Sequence, residues 1–465
     1  MPLSYPLSLR RGALPRRGAA AARGRGSSRA LPFRRRAGIS ARARWTRAGD
    51  RIVKRKYACD ADRLLGALDE VSAFGRTAGG GVTRLAASRE DGQARDWLRA
   101  RLAEAGARVL IDAVGNMYGV FPWAGPDAPF VFAGSHLDSQ PAGGRYDGAY
   151  GVVAALEAAR AIARTTARGG PKPTRNLAVV NWTNEEGARF APSTLGSAVY
   201  AGLVETEFAL ARADGTGITL GSALEDIGYR GGDAPPRSLA AYLELHIEQG
   251  PELEREGKTI GVVEGNWGTV KYVVEIVGEA AHTGPTAMAR RRDALLPAAE
   301  LILFARGLSD QTGGALLSSV GRLDVHPNST NVVPGHVRLY AEFRDADANR
   351  LEDTRARFEA RARALSTPSV SVALTRTVDR PAGAFDPALR ALIEREAHGA
   401  GYATHRLATV AGHDSIPLRA VAPSAMIFVP SVGGVSHNET EFTPPEDLAA
   451  GADVLTRVLT RLMTS

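Results

Sequence analysis

Residues 130–138 read FVFAGSHLD, and residues 177–187 read LAVVNWTNEEG. Each stretch is an apolar run typical of a buried strand, followed at once by polar and acidic side chains. Similar apolar runs at 109–111, 117–121 and 242–247 alternate with helical patterns at 88–105 and 150–163. This alternation predicts an α/β sheet, in which ligands bind outside the carboxyl ends of the strands.

A different pattern begins near residue 265. Strand-like segments at 270–277, 318–325, 337–343 and 370–374 combine with helical patterns at 290–307 and 347–364. Their order, β-α-β-β-α-β, is typical of a ferredoxin-like α+β unit. We therefore predict one α/β domain formed by residues 60–265 and 381–465, with the ferredoxin-like domain inserted at 266–380. Turn residues at 265–268 and 380–383 predict hinges between the two.

The net positive charge of the chain comes from its first 56 residues. The whole chain carries 58 Lys+Arg and 50 Asp+Glu, a net charge of +8. The head at residues 1–56 alone has a net charge of +16, so the remainder is at −8. This low-complexity head cannot bury enough apolar surface to fold alone. It is interpreted as upstream sequence included by an early start site, as a transit peptide or as a nucleic-acid-binding arm.

Composition excludes several other classes of protein. The single cysteine, Cys59, rules out an intramolecular disulfide framework and a thiolate zinc site. No apolar run reaches the roughly 18–20 residues that a membrane span requires. We predict a cytoplasmic protein that binds neither membranes nor nucleic acid, with organellar targeting by the head as the alternative.

Five short motifs collect potential metal ligands in polar loops and after predicted strands. They are GSHLD (134–138), GGRYDG (143–148), NEEG (184–187), HIEQG (246–250) and SHNE (436–439). An isolated His-x-Asp pair or Glu-Glu pair is a weak signal, but five such motifs together are not. A mixture of imidazole and carboxylate ligands suits Zn²⁺, Mn²⁺, Co²⁺ or Ni²⁺.

With these motifs in order, the sequence from about residue 60 onward resembles the binuclear metal-dependent amidohydrolases of the M20 peptidase-like superfamily. The stretches GSHLDS, GGRYDG, NEEGARF, LELHIEQGP and AAHTGPT carry the resemblance. The closest branch holds N-carbamoyl-L-amino acid hydrolases, β-ureidopropionases and allantoate amidohydrolases. The resemblance implies two divalent metal ions per subunit and a homodimer that pairs through the inserted domain.

The resemblance also implies roles for individual residues at the metal centre. His136, Asp147 and His246 match the ligands of one metal, and Asp147, Glu186 and His437 match those of the other, with Asp147 bridging. Glu185 matches the general base that activates a metal-bridging hydroxide. Asp138 matches an acid that orients His136, a role that fixes the imidazole tautomer.

On the substrate side, the resemblance implies contacts from both domains. Gln249 matches a polar contact, His282 an oxyanion-stabilising histidine, Asn331 an amide contact, and Gly412 a backbone contact. Arg344 matches the guanidinium that holds the substrate carboxylate, which a planar fork grips in two places. Since His282, Asn331 and Arg344 lie in the inserted domain, catalysis is expected to need a hinge movement that acts as a lid.

The predicted function is hydrolysis of the ureido group of an N-carbamoyl-L-amino acid or N-carbamoyl-β-alanine, which yields amino acid, ammonia and CO₂. Allantoate amidohydrolase activity is the alternative, because both substrates place a ureido nitrogen beside a carboxylate. A peptidase or aminoacylase of the same superfamily, and a nucleic-acid-binding protein acting through the head, are weaker alternatives.

Overall fold

The computed structural model of the protein describes residues 58–465. The basic head at residues 1–56, for which three interpretations were given, lies outside the described residues. Within residues 58–465, no helix is both long and apolar enough to cross a membrane.

The helices and strands that the sequence predicts are present, together with further elements that it does not predict. The helices are α1 (Ala61–Val71), α2 (Arg89–Glu104), α3 (Ala149–Ala167), α4 (Leu195–Tyr200), α5 (Thr206–Leu210), α6 (Leu220–Asp226), α7 (Glu252–Glu256), α8 (Leu295–Gln311), α9 (Ala348–Ala364), α10 (Pro387–Gly399), α11 (Ser415–Leu418) and α12 (Pro445–Thr464). The strands are β1 (Arg108–Ile111), β2 (Met117–Phe121), β3 (Phe130–His136), β4 (Asn176–Trp182), β5 (Leu239–Ile247), β6 (Ile260–Asn266), β7 (Gly268–Val277), β8 (Ala281–His282), β9 (Leu317–His326), β10 (Val332–Val333), β11 (His336–Asp345), β12 (Ser371–Arg380), β13 (Gly383–Ala384), β14 (Thr404–Thr409) and β15 (Ser424–Val429).

Nine strands form the main sheet, in the order β1-β2-β4-β3-β5-β15-β6-β13, with β14 also paired to β6. The four central strands β4, β3, β5 and β15 are mutually parallel. Their carboxyl ends therefore meet at one edge of the sheet, where parallel α/β sheets place their functional residues.

Helices cover one face of this sheet and an aromatic cluster lies on the other. The central helix α3 packs beside α12, and the buried hydroxyl of Tyr150 donates a hydrogen bond to the carbonyl of Leu448 at 2.6 Å. On the opposite face Tyr118 and Trp182 pack edge to face, with ring centroids 5.9 Å apart. The central strands are buried on both sides, which explains their near-continuous apolar sequence.

The inserted segment forms a separate antiparallel sheet in the order β12-β7-β11-β9, with α8 and α9 packed on it. Along the chain its main elements are β7, α8, β9, β11, α9 and β12, the β-α-β-β-α-β sequence that was expected, and the strands numbered by their position in the segment are arranged 4-1-3-2. Its own core is built around Tyr272, Phe343 and Phe358. The fold is thus the predicted mixed α/β type.

Several boundaries differ from the prediction. The helix expected from residue 290 begins at Leu295, because the Arg292 carbonyl accepts a hydrogen bond from the Glu279 amide and the Asp293 carboxylate accepts one from the Leu295 amide. The strand expected at 370–374 continues to Arg380, past a bulge between Arg376 and Val378. The sequence pattern did not predict β6 and β14, which pair with each other in parallel.

Candidate metal centre

The proposed ligands come from the carboxyl edge of the main sheet. His136 is the last residue of β3, His246 is the next-to-last residue of β5, and Glu186 follows β4 by four residues. Asp147 lies just before α3, and His437 lies in the loop after β15. His136 and His437 are 301 positions apart in sequence and meet here because the parallel strands that precede them end side by side.

Asp147 lies at the centre of this arrangement, with each oxygen facing a different side. Its Oδ1 is 3.1 Å from His246 Nε2 and 3.6 Å from His136 Nε2. Its Oδ2 is 3.4 Å from His437 Nε2, and that imidazole nitrogen is 3.4 Å from Glu186 Oε2. A carboxylate placed in this way can serve two neighbouring cations at once.

The structure brings the five predicted metal ligands into two groups. One atom of each of His136, Asp147 and His246 lies within 4.8 Å of the others, and the same holds for Asp147, Glu186 and His437. Both groups offer imidazole nitrogen and carboxylate oxygen, the donors that suit first-row divalent cations. The residues present therefore fit a pair of such cations that share Asp147.

Hydrogen bonds orient two of the imidazoles. His136 Nδ1 is 2.9 Å from the Asp138 carbonyl, and His246 Nδ1 is 2.9 Å from the Ile247 carbonyl. A carbonyl only accepts, so each ring carries its proton on Nδ1 and turns Nε2 toward Asp147. Burial lowers the pKa of His136 to about 4, which keeps that ring neutral. A neutral ring with a free Nε2 is the form that ligates metal.

Asp147 and burial shift the pKa values of the other three ligands. Burial alone would lower the pKa of His246, but its hydrogen bond to Asp147 outweighs burial and raises it to about 9. The hydrogen bond to Asp147 likewise raises the pKa of His437 to about 9. Burial and the nearby charge of Asp147 raise the pKa of Glu186 to about 8. The raised pKa values mean that His246, His437 and Glu186 hold protons at positions that cations would occupy.

Glu185 lies beside the metal groups without belonging to either. Its side chain is 7 % exposed, and Oε2 is 3.6 Å from His136 Nε2. Burial, followed by the charge of Asp414, raises its pKa well above the usual range of a glutamate. A carboxylate that binds protons this strongly, next to a site for cations, is suited to accept a proton during a reaction.

Asp138 makes contacts different from those predicted. Its carboxylate oxygens accept hydrogen bonds from the amides of Glu185 and Glu186, each at 3.2 Å. His136 bonds to the main-chain carbonyl of Asp138, and its Nδ1 is 3.9 Å from the carboxylate. The carboxylate thus holds the Glu185–Glu186 loop, while its main chain orients the imidazole.

A cavity of about 840 Å³ opens over the metal groups and extends to the inserted segment. Three of the predicted substrate contacts line it: Gln249, Arg344 and Gly412. Gln249 Nε2 donates to Asp147 Oδ2 at 2.8 Å, while its Oε1 is buried and has no hydrogen-bond partner within residues 58–465. Arg344 donates from Nε to Glu342 and from Nη1 to the Val410 carbonyl.

His282 and Asn331 do not line this cavity. His282 is exposed, and Thr283, next to it in sequence, donates its amide proton to the Asn331 carbonyl at 3.1 Å. In the paired strands β7 and β11, Arg344 lies opposite Thr269, whereas His282 comes after Val277 at the far end of β7. At about 3.3 Å per residue, that places His282 roughly 25 Å from Arg344 along the sheet.

Several residues around the centre were not singled out from the sequence. Gln140 donates to Glu186 from its main-chain amide and its side chain, at 3.1 and 2.9 Å. The His413 ring, assigned no definite role, packs edge to face on His246 with centroids 4.6 Å apart. Glu244 accepts from Ser135 and from the Ser415 amide. Only the position of Glu244 inside the LELHIEQGP motif signalled it.

This chain is similar to known proteins in both sequence and fold. The sequence profile of Peptidase family M20/M25/M40 matches residues 132–461. An N-carbamoyl-L-amino-acid amidohydrolase of Rhizobium meliloti is 39% identical over 85% of this chain and 95% of its own length. An allantoate amidohydrolase of Bacillus subtilis is 31% identical over 85% and 96%.

A ureidoglycolate hydrolase of Arabidopsis thaliana is 34% identical over 87% of both chains. Among solved structures, a hydantoinase/carbamoylase family amidase of Burkholderia vietnamiensis has a TM-score of 0.82 and 41% identity, over 88% of this chain and 98% of that one. The similarity therefore covers nearly all of the residues that the structure describes.

Proposed function

The chain belongs to Peptidase family M20/M25/M40 and is a hydrolase of amide C–N bonds, and we propose that it cleaves the ureido group of an N-carbamoyl-L-amino acid or N-carbamoyl-β-alanine. The products would be the amino acid, ammonia and CO₂. One observation carries the proposal: a single cavity holds the two Asp147-centred ligand groups, the buried Glu185 and the guanidinium of Arg344.

His136, Asp147 and His246 would hold one divalent cation, and Asp147, Glu186 and His437 the other. Bound cations would supply a Lewis acid for the ureido carbonyl and lower the pKa of a water molecule. The site has no thiolate and so accepts Zn²⁺, Mn²⁺, Co²⁺ or Ni²⁺ according to their availability.

Glu185 would be the general base and then the general acid. It is buried beside His136 and belongs to neither ligand group, so its carboxylate is free to take a proton from the attacking water. The same proton can be passed to the departing nitrogen, which would otherwise leave as an unstable anion. Asp138 holds Glu185 in place through the Glu185 amide.

Arg344, Gln249 and Gly412 would contact the substrate. The guanidinium of Arg344 would pair with the carboxylate of the substrate. The unpartnered Oε1 of Gln249 can accept a hydrogen bond from a ureido N–H group, which would remove the cost of leaving that buried acceptor unsatisfied. Gly412 lies in the cavity wall and would contribute its main chain.

The cavity also has apolar lining that favours a carbamoyl amino acid over allantoate. Phe208, which is 44% exposed, lines it together with Pro192 and Val378. An aliphatic or aromatic substrate side chain would bury part of this surface. Allantoate carries a second, polar ureido group at that position. It remains the alternative substrate, supported by the similarity to the Bacillus subtilis enzyme.

We further propose a homodimer in which His282 and Asn331 serve the cavity of the second copy. A hinge movement of the inserted segment cannot bring both ends of β7 to one small substrate, because they are roughly 25 Å apart. The outer face of α8 exposes Leu296 and Leu303, at 62% and 73%, and the adjacent β9 is an edge strand. Exposed apolar helix faces and edge strands are typical of interfaces. The cytoplasmic location stays a prediction.

A substrate panel tests the proposed function. Enzyme stripped with a chelator and reloaded with Mn²⁺, Co²⁺ or Zn²⁺ would be given N-carbamoyl-L-leucine, N-carbamoyl-β-alanine and allantoate, and ammonia would be measured. We expect the highest kcat/KM with a carbamoyl amino acid. Release from allantoate alone would favour the alternative, and no release from either carbamoyl substrate at full metal occupancy would refute the proposal.

A further inference from the structure

Arg380 is a cation near the cavity for which the structure supplies no counter-ion. It is the last residue of β12, where the chain returns to the main sheet. Its Nη2 donates to the Thr269 hydroxyl at 3.1 Å, and its buried Nε has no hydrogen-bond partner among residues 58–465. Among residues 58–465, no carboxylate oxygen lies within the 4.0 Å of an ion pair with Arg380. Arg380 is half-buried, and a partly desolvated guanidinium without a carboxylate partner carries a desolvation cost.

Arg344 and Arg380 flank the same residue of β7: Thr269 pairs with Arg344 on β11 and with Arg380 on β12. Burial, followed by the charge of Arg344, lowers the pKa of Arg380 to about 10. The charges of Glu185 and Glu342 act in the opposite direction, but burial and Arg344 outweigh them. Two neighbouring guanidinium groups repel each other unless an anion lies between or across them.

Glu342, the acid of the inserted segment whose charge acts on Arg380, is already paired with other cations. Glu342 accepts from Arg344 Nε with one oxygen and lies 2.8 Å from Lys271 Nζ with the other. Lys271 and Arg344 thus share Glu342, and Arg380 has no ion pair among residues 58–465. Within the described residues, this wall of the inserted segment carries three cations and one paired acid.

Gly412 leaves Arg380 room to approach the cavity. A Cβ atom on residue 412 would lie 2.8 Å from Arg380 Nη1, a distance too short for unstrained contact. Gly412 and Arg344 both line the cavity. The absence of a side chain at residue 412 therefore allows the Arg380 guanidinium to occupy the space directly behind the cavity wall.

We propose that Arg380 is a second guanidinium of the carboxylate site, which binds the carboxylate of the substrate together with Arg344. Arg344 donates from Nε to Glu342 and from Nη1 to the Val410 carbonyl, so only part of its guanidinium is left to bind a substrate carboxylate. A substrate carboxylate would bridge the two guanidinium groups and supply the missing counter-ion. This inference rests on the proposed function, since it requires a substrate with a carboxylate.

The test compares an N-carbamoyl-L-amino acid with its neutral primary amide in metal-loaded enzyme. Arg380→Gln should raise KM for the acid about tenfold or more, with a much smaller change in kcat and no change in KM for the amide. Arg380→Lys should show an intermediate KM for the acid. Equal changes in KM for acid and amide, or no change for either, would overturn the inference.

Two further variants separate this role from a structural one. Gly412→Ala should displace the guanidinium and raise the ratio of KM for the acid to KM for the amide, without altering Arg380 itself. A change in the main-chain contact of residue 412 would affect both substrates and cancel in that ratio. This variant keeps the inference falsifiable if Arg380→Gln does not fold. Arg376→Gln is the matched control, because Arg376 lines the same cavity from the same strand but is paired with Asp379 and Glu359. An Arg376 effect as large as that of Arg380 would show a general field effect and contradict the proposal.

The outcome distinguishes this inference from the proposed function. If wild-type enzyme releases ammonia from the acid but the Arg380 and Gly412 variants leave acid selectivity unchanged, only the Arg380 inference fails. If the wild-type enzyme releases ammonia from neither acid nor amide, the proposed function itself fails.

Discussion

The two oxygens of one carboxylate, Asp147, organise the centre of this molecule. Each oxygen faces its own group of imidazole and carboxylate ligands, and Gln249 donates to one of them. Hydrogen bonds with His246 and His437 outweigh burial and hold the pKa of Asp147 well below the usual range of an aspartate. Asp147 therefore stays ionised, as a bridging ligand must.

Replacing Glu185 with Gln should separate chemistry from metal binding. The amide keeps the size of the side chain but cannot take a proton, so kcat should fall by about a hundredfold or more. Metal content measured by elemental analysis should not change, because Glu185 is outside both ligand groups. Turnover near the wild-type rate would contradict its role as general base, and loss of metal would make it a ligand.

The candidate centre could be predicted from sequence to a large extent, because its residues fall in short motifs directly after strands. Its supporting contacts could not. The bond from the Glu185 amide to the Asp138 carboxylate joins two motifs that are 47 residues apart. The sequence predicted Arg380 only as part of a hinge at 380–383, and the unpartnered Nε that the structure shows among residues 58–465 depends on packing that the sequence does not reveal.

Among the elements, strand ends and helix starts determine the position of the ligands. The parallel order of β4, β3, β5 and β15 gives the site its common edge. The sequence predicts these strands well because burial on both faces leaves a continuous apolar run. It does not reveal β6 and β14, since β14 (THRLAT) has a mixed polar sequence whose pairing is decided by its neighbours.

Gly148, at the start of α3, limits the position of His136. It has φ 66°, and a Cβ there would lie 2.4 Å from atoms of the His136 ring. Gly148→Ala should therefore push the imidazole away and lower metal affinity about tenfold or more, as measured by competition with a chelator.

The matched control is Gly169→Ala at the other end of α3. Gly169 also has positive φ, 86°, but no atom of the described residues 58–465 lies within 4 Å of its Cβ position. It should cost about 1 kcal/mol of stability and leave metal affinity unchanged. Equal metal affinity in the two variants would show that Gly148 does not control His136.

At the scale of the whole molecule, residues of the inserted segment divide between two ends of one sheet. Arg344 is at the end that faces the metal centre, whereas His282 and Asn331 are at the other end. From the sequence, all three residues were assigned to the inserted domain, and a hinge movement was expected to bring them to the substrate together. The register of β7 and β11 contradicts that expectation for a single chain, and a second copy becomes the proposed source.

Leu303→Glu tests the proposed dimer. A charge on the exposed face of α8 should give a monomer by light scattering and reduce kcat, because His282 of a second copy would be lost. Leu203→Glu is the control, since Leu203 is 59% exposed outside the inserted segment. A monomeric wild-type enzyme with full activity would refute the dimer.

Metal removal should make stability strongly dependent on pH. In the folded chain without metal, Glu186 has a pKa of about 8, raised by burial, and the bond to Asp147 raises that of His437 to about 9. Both pKa values lie above the ordinary values of 4.5 for glutamate and 6.5 for histidine. At a pH between the ordinary and the raised value of either group, the folded state therefore holds more protons than the unfolded state. The stability of chelated protein should therefore fall as pH rises from about 6.5 to 9.

Cations replace those protons, so the gain in Tm on adding Mn²⁺ should be larger at pH 9 than at pH 6.5. Thermal unfolding of chelated and reloaded protein at the two pH values measures it. A gain in Tm that is equal at both, or larger at pH 6.5, would mean that these residues are not the metal ligands.

The most direct test of the central claim is ammonia release from N-carbamoyl-L-leucine by a single preparation in three states: as purified, chelated, and reloaded with Mn²⁺. The account predicts that chelation abolishes release, that reloading restores it, and that one ammonia forms per leucine. Release that persists in metal-free protein, or its absence from protein with both sites filled, would contradict it.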